Sequence, residues 1–219
     1  MKRVAVLISG EGRNLQALLD AHDRGGLPAT FVGVVSNRDD APGLARAAAA
    51  GVPVAVVRHG DFPDREAFDA ALTLQLEAWR ADWVVLAGFM RVLTPGFTTR
   101  WQGRLLNIHP SLLPRHRGLQ THRRVLEAGD REHGATVHFV TADLDGGPAI
   151  IQGRFTVSAE DDPQQLALRV LQDVEVHIYP QAVAWCISGD LQLMPEGTVM
   201  FRGAPLSAPL TLADLEPGF

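Results

Sequence analysis

Continuous apolar segments recur along the chain and are separated by segments with helical periodicity. Short runs of mostly apolar or β-branched residues predict strands at 3–9, 30–37, 52–57, 83–88 and 104–109. Apolar residues at three- and four-residue steps predict helices at 14–23, 42–51 and 65–80. These strands do not alternate polar and apolar residues, which is typical of a parallel sheet covered by helices on both faces. The pattern predicts an α/β fold with a doubly wound, mostly parallel sheet.

The pattern changes after the fifth predicted strand. Two further strands are predicted at 134–141 and 149–157, joined by the short loop ADLDGGP. The glycines and the proline of this loop favour a tight reversal, so this pair is expected to be antiparallel. A long helix is predicted from about Pro163 to Ile187, with a kink or a break at Pro180, because proline lacks the helical N–H donor.

The C-terminal part is less regular. The segments LQLM and GTVMFRG predict a last hairpin, and the chain from Ala204 onward is expected to be loosely structured. No linker or low-complexity segment interrupts the chain. Residues 1–190 are therefore predicted to form one domain, and the hairpin and tail at 191–219 are expected to pack on it.

Composition and charge narrow the class of protein. The net charge of −5 argues against a non-specific nucleic-acid binder, which needs a basic surface. The single cysteine, Cys186, permits no internal disulfide. The apolar run after Lys2 and Arg3 is too short for a signal peptide, and no apolar segment is long enough to cross a bilayer. We expect a cytoplasmic protein that binds neither nucleic acid nor membrane.

Ligands of open α/β sheets bind outside the carboxyl ends of the strands, so the peptides that follow the predicted strands are the candidates for a site. These peptides are SGEGRN (9–14), SN (36–37), AGFMR (87–91), NIHPS (107–111) and TADLDGG (141–147).

The glycine loop after the first strand suits a phosphate better than a dinucleotide. The third glycine of a dinucleotide fingerprint would fall at Leu15, and the second strand ends in Ser36-Asn37 rather than in an acidic residue. Glycines before a helix N-terminus can still bind one phosphate, with Asn14 as the helix cap or as a ligand. A tight turn without any ligand is the alternative.

Asn107 and His109 lie two residues apart at a predicted strand end, so both side chains leave the same face. With Asp145 of the LDGGP loop nearby, a carboxylate would favour the protonated imidazole. Two hydrogen-bond donors could then hold an oxyanion, and the carboxylate could help to move a proton. A capped strand terminus is the alternative. The other histidines of this region, His116, His122, His133 and His138, are expected to be structural or exposed, and no cluster has the spacing of a zinc site.

Six collinear motifs together resemble the phosphoribosylglycinamide formyltransferases, a folate-dependent family of purine synthesis. They are ISGEGRNLQ, the SN after strand two, VVLAGFMRVL, RLLNIHPSLLP, GATVHFVTADLDGGP and EVHIYP. The resemblance runs from about residue 2 to 190. It implies a Rossmann-like sheet and transfer of the formyl group of 10-formyltetrahydrofolate to the amine of glycinamide ribonucleotide, without a metal. Small-molecule partners follow, and a homodimer is left open.

The resemblance also implies the site residues. Asn107, His109 and Asp145 would be catalytic, in the part of the domain that also holds folate. Gly12, Arg13, Asn14 and Glu175 would bind the ribonucleotide, with its phosphate at the N-terminal loop. The residues expected at the folate are Arg65, Met90, Arg91, Val92, Leu93, Asn107, Thr141, Ala142, Asp143, Leu144 and Asp145.

Three departures from the family pattern are visible. Arg13 stands where a small Ser or Thr is usual, and Arg115-His116-Arg117-Gly118 replaces a K-x-P-G-like run. One residue is inserted between Arg169 and Glu175. The alternatives are a formyltetrahydrofolate deformylase, in which water replaces the amine, and a formyltransferase acting on another amine such as methionyl-tRNA.

Overall fold

The computed structural model describes residues 1–219 and contains eleven strands in two sheets. The strands are β1 (Lys2–Ile8), β2 (Ala29–Ser36), β3 (Val54–Val56), β4 (Trp83–Leu86), β5 (Leu105–His109), β6 (Glu132–Phe139), β7 (Ala149–Thr156), β8 (Leu191–Leu193), β9 (Val199–Phe201), β10 (Ala204–Pro205) and β11 (Leu210–Thr211). The helices are α1 (Arg13–Asp23), α2 (Gly43–Ala49), α3 (Arg65–Ala78), α4 (Pro95–Arg100), α5 (Thr121–Glu127), α6 (Pro163–Arg169) and α7 (Val176–Ser188).

The main sheet has eight strands in the order β11-β7-β6-β5-β4-β1-β2-β3. In the part of the sheet with the order β5-β4-β1-β2-β3, all neighbouring strands are parallel, as predicted. The predicted antiparallel pair, β6 and β7, is confirmed, and β6 is also antiparallel to β5. The chain therefore has the predicted Rossmann-like, doubly wound sheet. The strand direction reverses between β5 and β6, next to the predicted site.

Both faces of the sheet are buried, which explains the uninterrupted apolar strands. Along β1, Val4, Val6 and Ile8 enter a larger core with residues of α1 and α7. The alternate residues Ala5 and Leu7 enter a smaller core with residues of α3 and α4. Since neighbouring residues of a strand point to opposite faces, residues 4–8 of β1 have no position for a polar side chain.

The predicted break of the long C-terminal helix is misplaced. Pro180 lies inside α7, and the irregularity is a π-helical turn at Val170–Glu175 between α6 and α7. The backbone N–H of Val176 donates to the carbonyl of Leu171, five residues earlier. A π turn takes up one extra residue and lets the helix continue, which is compatible with the insertion expected between Arg169 and Glu175.

The hairpin predicted near the C-terminus is present, and β10 extends it to a three-stranded antiparallel sheet. The expectation of a loosely structured tail is wrong in part, because β11 pairs in parallel with β7 at the edge of the main sheet. The tail is also tied to α7: Trp185 Nε1 donates to Glu216 Oε1 over 3.0 Å, and the Glu216 N–H donates to Gln181 Oε1 over 2.7 Å. None of the helices combines the length and the apolar character that a bilayer crossing requires.

Candidate active site

The centre of the site is the carboxyl end of β5. Asn107 and His109 point to the same face, while Ile108 is buried in the larger core. The antiparallel register of β6 places His138 opposite Asn107 and Thr136 opposite His109. The strand pairing therefore adds a second imidazole to the polar pair.

His109 is held by hydrogen bonds on both sides of its ring. Its Nε2 lies 3.0 Å from the backbone oxygen of His116, which can only accept, so Nε2 carries a hydrogen. Its Nδ1 lies 3.4 Å from Asp145 Oδ2 and donates to it only when the ring is doubly protonated. Asp145 Oδ2 also accepts the N–H of Gly118 over 2.8 Å. Because 3.4 Å exceeds a normal charge-assisted bond, Nδ1–H can also reach an oxygen placed beside the carboxylate.

Asn107 is oriented by His138. The Nδ1 of His138 lies 2.8 Å from the backbone oxygen of Phe139 and donates to it, so Nε2 is left as an acceptor. Asn107 Nδ2 donates to this nitrogen over 3.1 Å and keeps its second N–H free. Burial, the largest cause, lowers the pKa of His138, which keeps the ring neutral and able to accept.

His138 was expected to be structural or exposed, but it contacts the proposed catalytic group and also lies 3.8 Å from Asp145 Oδ1. No motif marks it. The signal that would have found it is the register of β6 against β5, which the sequence alone did not provide.

Beside Asn107 lies a narrow cavity of about 80 Å³, which is lined by nearly all of the residues expected at the folate. Asn107, Arg91, Val92, Leu93 and the segment 141–145 line it, together with His138, Leu86, Phe89, Thr98 and Val140. Met90 lines a neighbouring cavity instead. Arg65 begins α3, is exposed and lines neither cavity.

The glycine loop forms the second cavity, of about 300 Å³. Gly12 has a φ of +70°, and a Cβ there would lie 2.7 Å from the Cα of Gly43, so only glycine fits. Gly12, Arg13 and Asn14 line the cavity together with Ala87, Gly88 and Met90. No side chain caps α1, so Asn14 is not the cap.

Asn14 instead contacts Glu175 at the end of the π turn. Its Nδ2 donates to Glu175 Oε2 over 2.7 Å, while its Oδ1 is buried without a hydrogen-bond partner. Burial raises the pKa of Glu175, and the hydrogen bond from Asn14 acts in the opposite direction. The structure thus brings together the glycine loop and the carboxyl group that the sequence places far away in the chain.

A third cavity, of about 530 Å³, adjoins the glycine loop through Arg13. Arg24 and Arg46 also line it, with Asp20 as the one carboxylate, so positive charge is concentrated there although the chain is acidic overall. Arg46 Nε donates to the backbone oxygen of Glu11 over 2.8 Å, which fixes this arginine beside the loop. Arg46 was not predicted from the sequence, because it lies in an alanine-rich helix without a motif.

The two cavities on either side of residues 87–93 share this segment as a wall. Ala87, Gly88 and Met90 line the glycine-loop cavity, whereas Phe89 and Arg91–Leu93 line the narrow one. The Met90 N–H donates to Ser9 Oγ over 2.8 Å, and Ser9 Oγ donates to Asn37 Oδ1 over 2.6 Å. The wall is therefore tied to the ends of β1 and β2.

No activated nucleophile is found beside His109. Ser111 Oγ donates to the backbone oxygen of Arg115, and Cys186 is buried, which raises the pKa of its thiol. The arrangement offers hydrogen-bond donors and a carboxylate, which suit direct transfer between two bound molecules through an oxyanion.

Comparisons with known proteins agree with this chemistry. The phosphoribosylglycinamide formyltransferase of Escherichia coli (strain K12) is 48% identical over 190 residues, which are 87% of this chain and 89% of that protein. The enzyme of the same name from Haemophilus influenzae is 45% identical over 193 residues, covering 88% and 91%. The solved structure of the phosphoribosylglycinamide formyltransferase of Coxiella burnetii superposes with a TM-score of 0.91 at 42% identity, covering 96% of this chain and 98% of that one. Residues 2–183 match the formyl transferase family, which covers strands β1 to β7, and the chain belongs to that family.

Proposed function

We propose that the chain transfers the formyl group of 10-formyltetrahydrofolate to the amine of phosphoribosylglycinamide, a step of purine biosynthesis. The observation that carries the proposal is the His109–Asp145 pair beside Asn107, at the wall of the cavity that holds most of the residues expected at the folate. The names of the relatives support the same reaction.

In this reaction the amine attacks the formyl carbon and the formyl oxygen becomes an oxyanion. The free N–H of Asn107 and the Nδ1–H of His109 stabilise that charge, and Asp145 stabilises the imidazolium. Asp145 then helps, through water, to move a proton from the attacking amine to the departing folate nitrogen. Neither a covalent enzyme intermediate nor a metal takes part.

The ribonucleotide lies on the other side of residues 87–93. The backbone at Gly12–Asn14 and the guanidinium of Arg13 bind its phosphate, which the adjoining basic cavity attracts. Glu175, buried next to Asn14, accepts hydrogen bonds from the ribose hydroxyls. The pterin end of the folate enters the narrow cavity, whose apolar walls are at Val92, Leu93 and Leu144.

The test is an assay with 10-formyltetrahydrofolate in which the acceptor is varied. We expect phosphoribosylglycinamide to be formylated, as detected by the absorbance of the released folate and the mass of the product. Methionyl-tRNA supplied in competition should not be formylated. Folate release at a comparable rate without any acceptor would show a deformylase, and preferential formylation of the tRNA would show a different acceptor.

A further inference from the structure

Residues 115–118 form the outer wall around His109, and each of them uses a backbone group to hold a neighbour. The oxygen of Arg115 accepts from Ser111 Oγ, and the oxygen of His116 accepts from His109 Nε2. The oxygen of Arg117 accepts from Arg124, and the N–H of Gly118 donates to Asp145. The position of the catalytic imidazole therefore depends on the conformation of this segment.

His116 is the residue of the segment in an unfavourable backbone conformation. Its φ is +53°, the left-handed region that non-glycine residues seldom adopt. In this conformation its carbonyl faces His109 while its side chain faces the opposite way, toward Asp130. A contact of the side chain is needed to hold such a conformation.

Asp130 supplies that contact. Its side chain is 7% exposed, and Oδ2 lies 2.6 Å from His116 Nε2, while Oδ1 accepts from Arg115. The side chain of Arg115 is 54% exposed, so solvent weakens its pair with Asp130. The side chain of His116 is only 13% exposed, which makes it the stronger anchor.

We propose that His116 and Asp130 are positioning residues for His109. Their contact keeps the His116 carbonyl on Nε2–H of His109, so that Nδ1–H faces Asp145 and the folate cavity. Without it, the backbone at 116 relaxes, Nε2–H loses its acceptor, and the ring is free to turn. The inference rests on the proposed function, in which Nδ1–H stabilises the oxyanion.

The test compares two substitutions of His116. His116→Leu removes the donor to Asp130, and His116→Gln keeps one, since the glutamine amide can donate to the same oxygen. We expect His116→Leu to lower kcat about tenfold with both KM values within about twofold, the effect of losing one hydrogen bond. His116→Gln should restore most of the activity, and Asp130→Ala should behave as His116→Leu does. The control is Glu127→Ala, which removes an exposed carboxylate paired with Arg123.

A second readout is independent of turnover. In the ¹H–¹⁵N spectrum of the histidine rings, the Nε2–H of His109 should exchange slowly in the wild type and in His116→Gln, and fast in His116→Leu. If His116→Leu lowers only the melting temperature, and kcat and the His109 signal stay unchanged, the contact is merely structural and the proposal is wrong. If the wild type does not transfer formyl groups, the spectra still decide the positioning and the proposed function alone fails.

Discussion

Single backbone carbonyls determine which ring nitrogens of the site carry hydrogens. The backbone oxygen of His116 accepts a hydrogen bond from Nε2 of His109, so this nitrogen carries a hydrogen. The backbone oxygen of Phe139 accepts one from Nδ1 of His138 in the same way. As a consequence, His109 presents Nδ1 to Asp145, and His138 presents an acceptor to Asn107. Two histidines in one cluster thus have opposite roles, one as donor and one as acceptor.

His109→Ala should reduce kcat at least about a hundredfold, because one oxyanion donor contributes roughly 10²–10³ in rate. The measurement is steady-state formyl transfer together with the melting temperature. His22→Ala, which alters a histidine at the far end of α1, serves as the control and should keep nearly full activity. A His109→Ala enzyme within threefold of the wild type would remove His109 from the mechanism.

His138→Phe should lower kcat about tenfold and leave the KM for phosphoribosylglycinamide nearly unchanged, because Asn107 loses the acceptor that orients its amide. The informative comparison is the double variant with Asn107→Ala. If His138 acts through Asn107, the double variant is no slower than Asn107→Ala alone. An additive loss would show that His138 has a separate role.

At the scale of elements, the sequence predicts seven strands of the main sheet, and the patterns of β1, β2, β4 and β5 are mostly apolar because residues of each enter both cores. It does not predict α5, since only Thr121 and Val125 are buried and no apolar stripe forms. The π turn also escapes periodicity, since a one-residue insertion leaves the apolar pattern helical on both sides. For the site, adjacent residues such as Asn107 and His109 can be found, whereas the partner His138 requires the strand register.

The contact between α5 and β6 contains a histidine pair that makes stability depend on pH. His122 Nδ1 lies 2.9 Å from His133 Nε2, and burial is the main reason that the pKa of His133 is lowered to about 4. In the unfolded chain His133 takes up a proton near its ordinary pKa of 6.5. Between these values the unfolded state binds the extra proton, so the folded state loses stability as the pH falls.

We therefore expect the free energy of unfolding to decrease by up to about 1.4 kcal/mol per pH unit, through His133, as the pH is lowered from 6.5 toward 4. Urea denaturation at several pH values measures this slope. His133→Phe, packed against Phe155, should flatten it, whereas replacing the exposed His59 should not. An unchanged slope in His133→Phe would assign the acid sensitivity to other groups.

At the scale of the whole molecule, an acidic chain concentrates arginines at one cavity. Arg13, Arg24 and Arg46 line it next to the glycine loop. Charge placed there can attract an anionic substrate without making the protein a general binder of polyanions.

Arg13→Ser should raise the KM for phosphoribosylglycinamide about five- to tenfold and leave the KM for folate unchanged, because it removes a charge beside a helix N-terminus. The difference in this KM between the wild type and Arg13→Ser should become smaller as salt is added, because salt screens the charge. Arg38→Ser, which breaks a surface pair with Asp40, is the matched control. An unaffected KM in Arg13→Ser would leave the loop amides as the sole phosphate ligands.

The wall at residues 87–93 has a thermodynamic consequence, because it is the same stretch of backbone for both cavities. A ligand that restrains this stretch from one side lowers the ordering cost that remains for a ligand on the other side. By thermodynamic linkage, the factor by which the bound ribonucleotide changes the affinity for folate equals the factor by which bound folate changes the affinity for the ribonucleotide. Calorimetric titrations with an unreactive folate, in which the two ligands are added in either order, should give the same coupling free energy. Ser9→Ala removes the hydrogen bond that holds the Met90 N–H, and the coupling should then disappear.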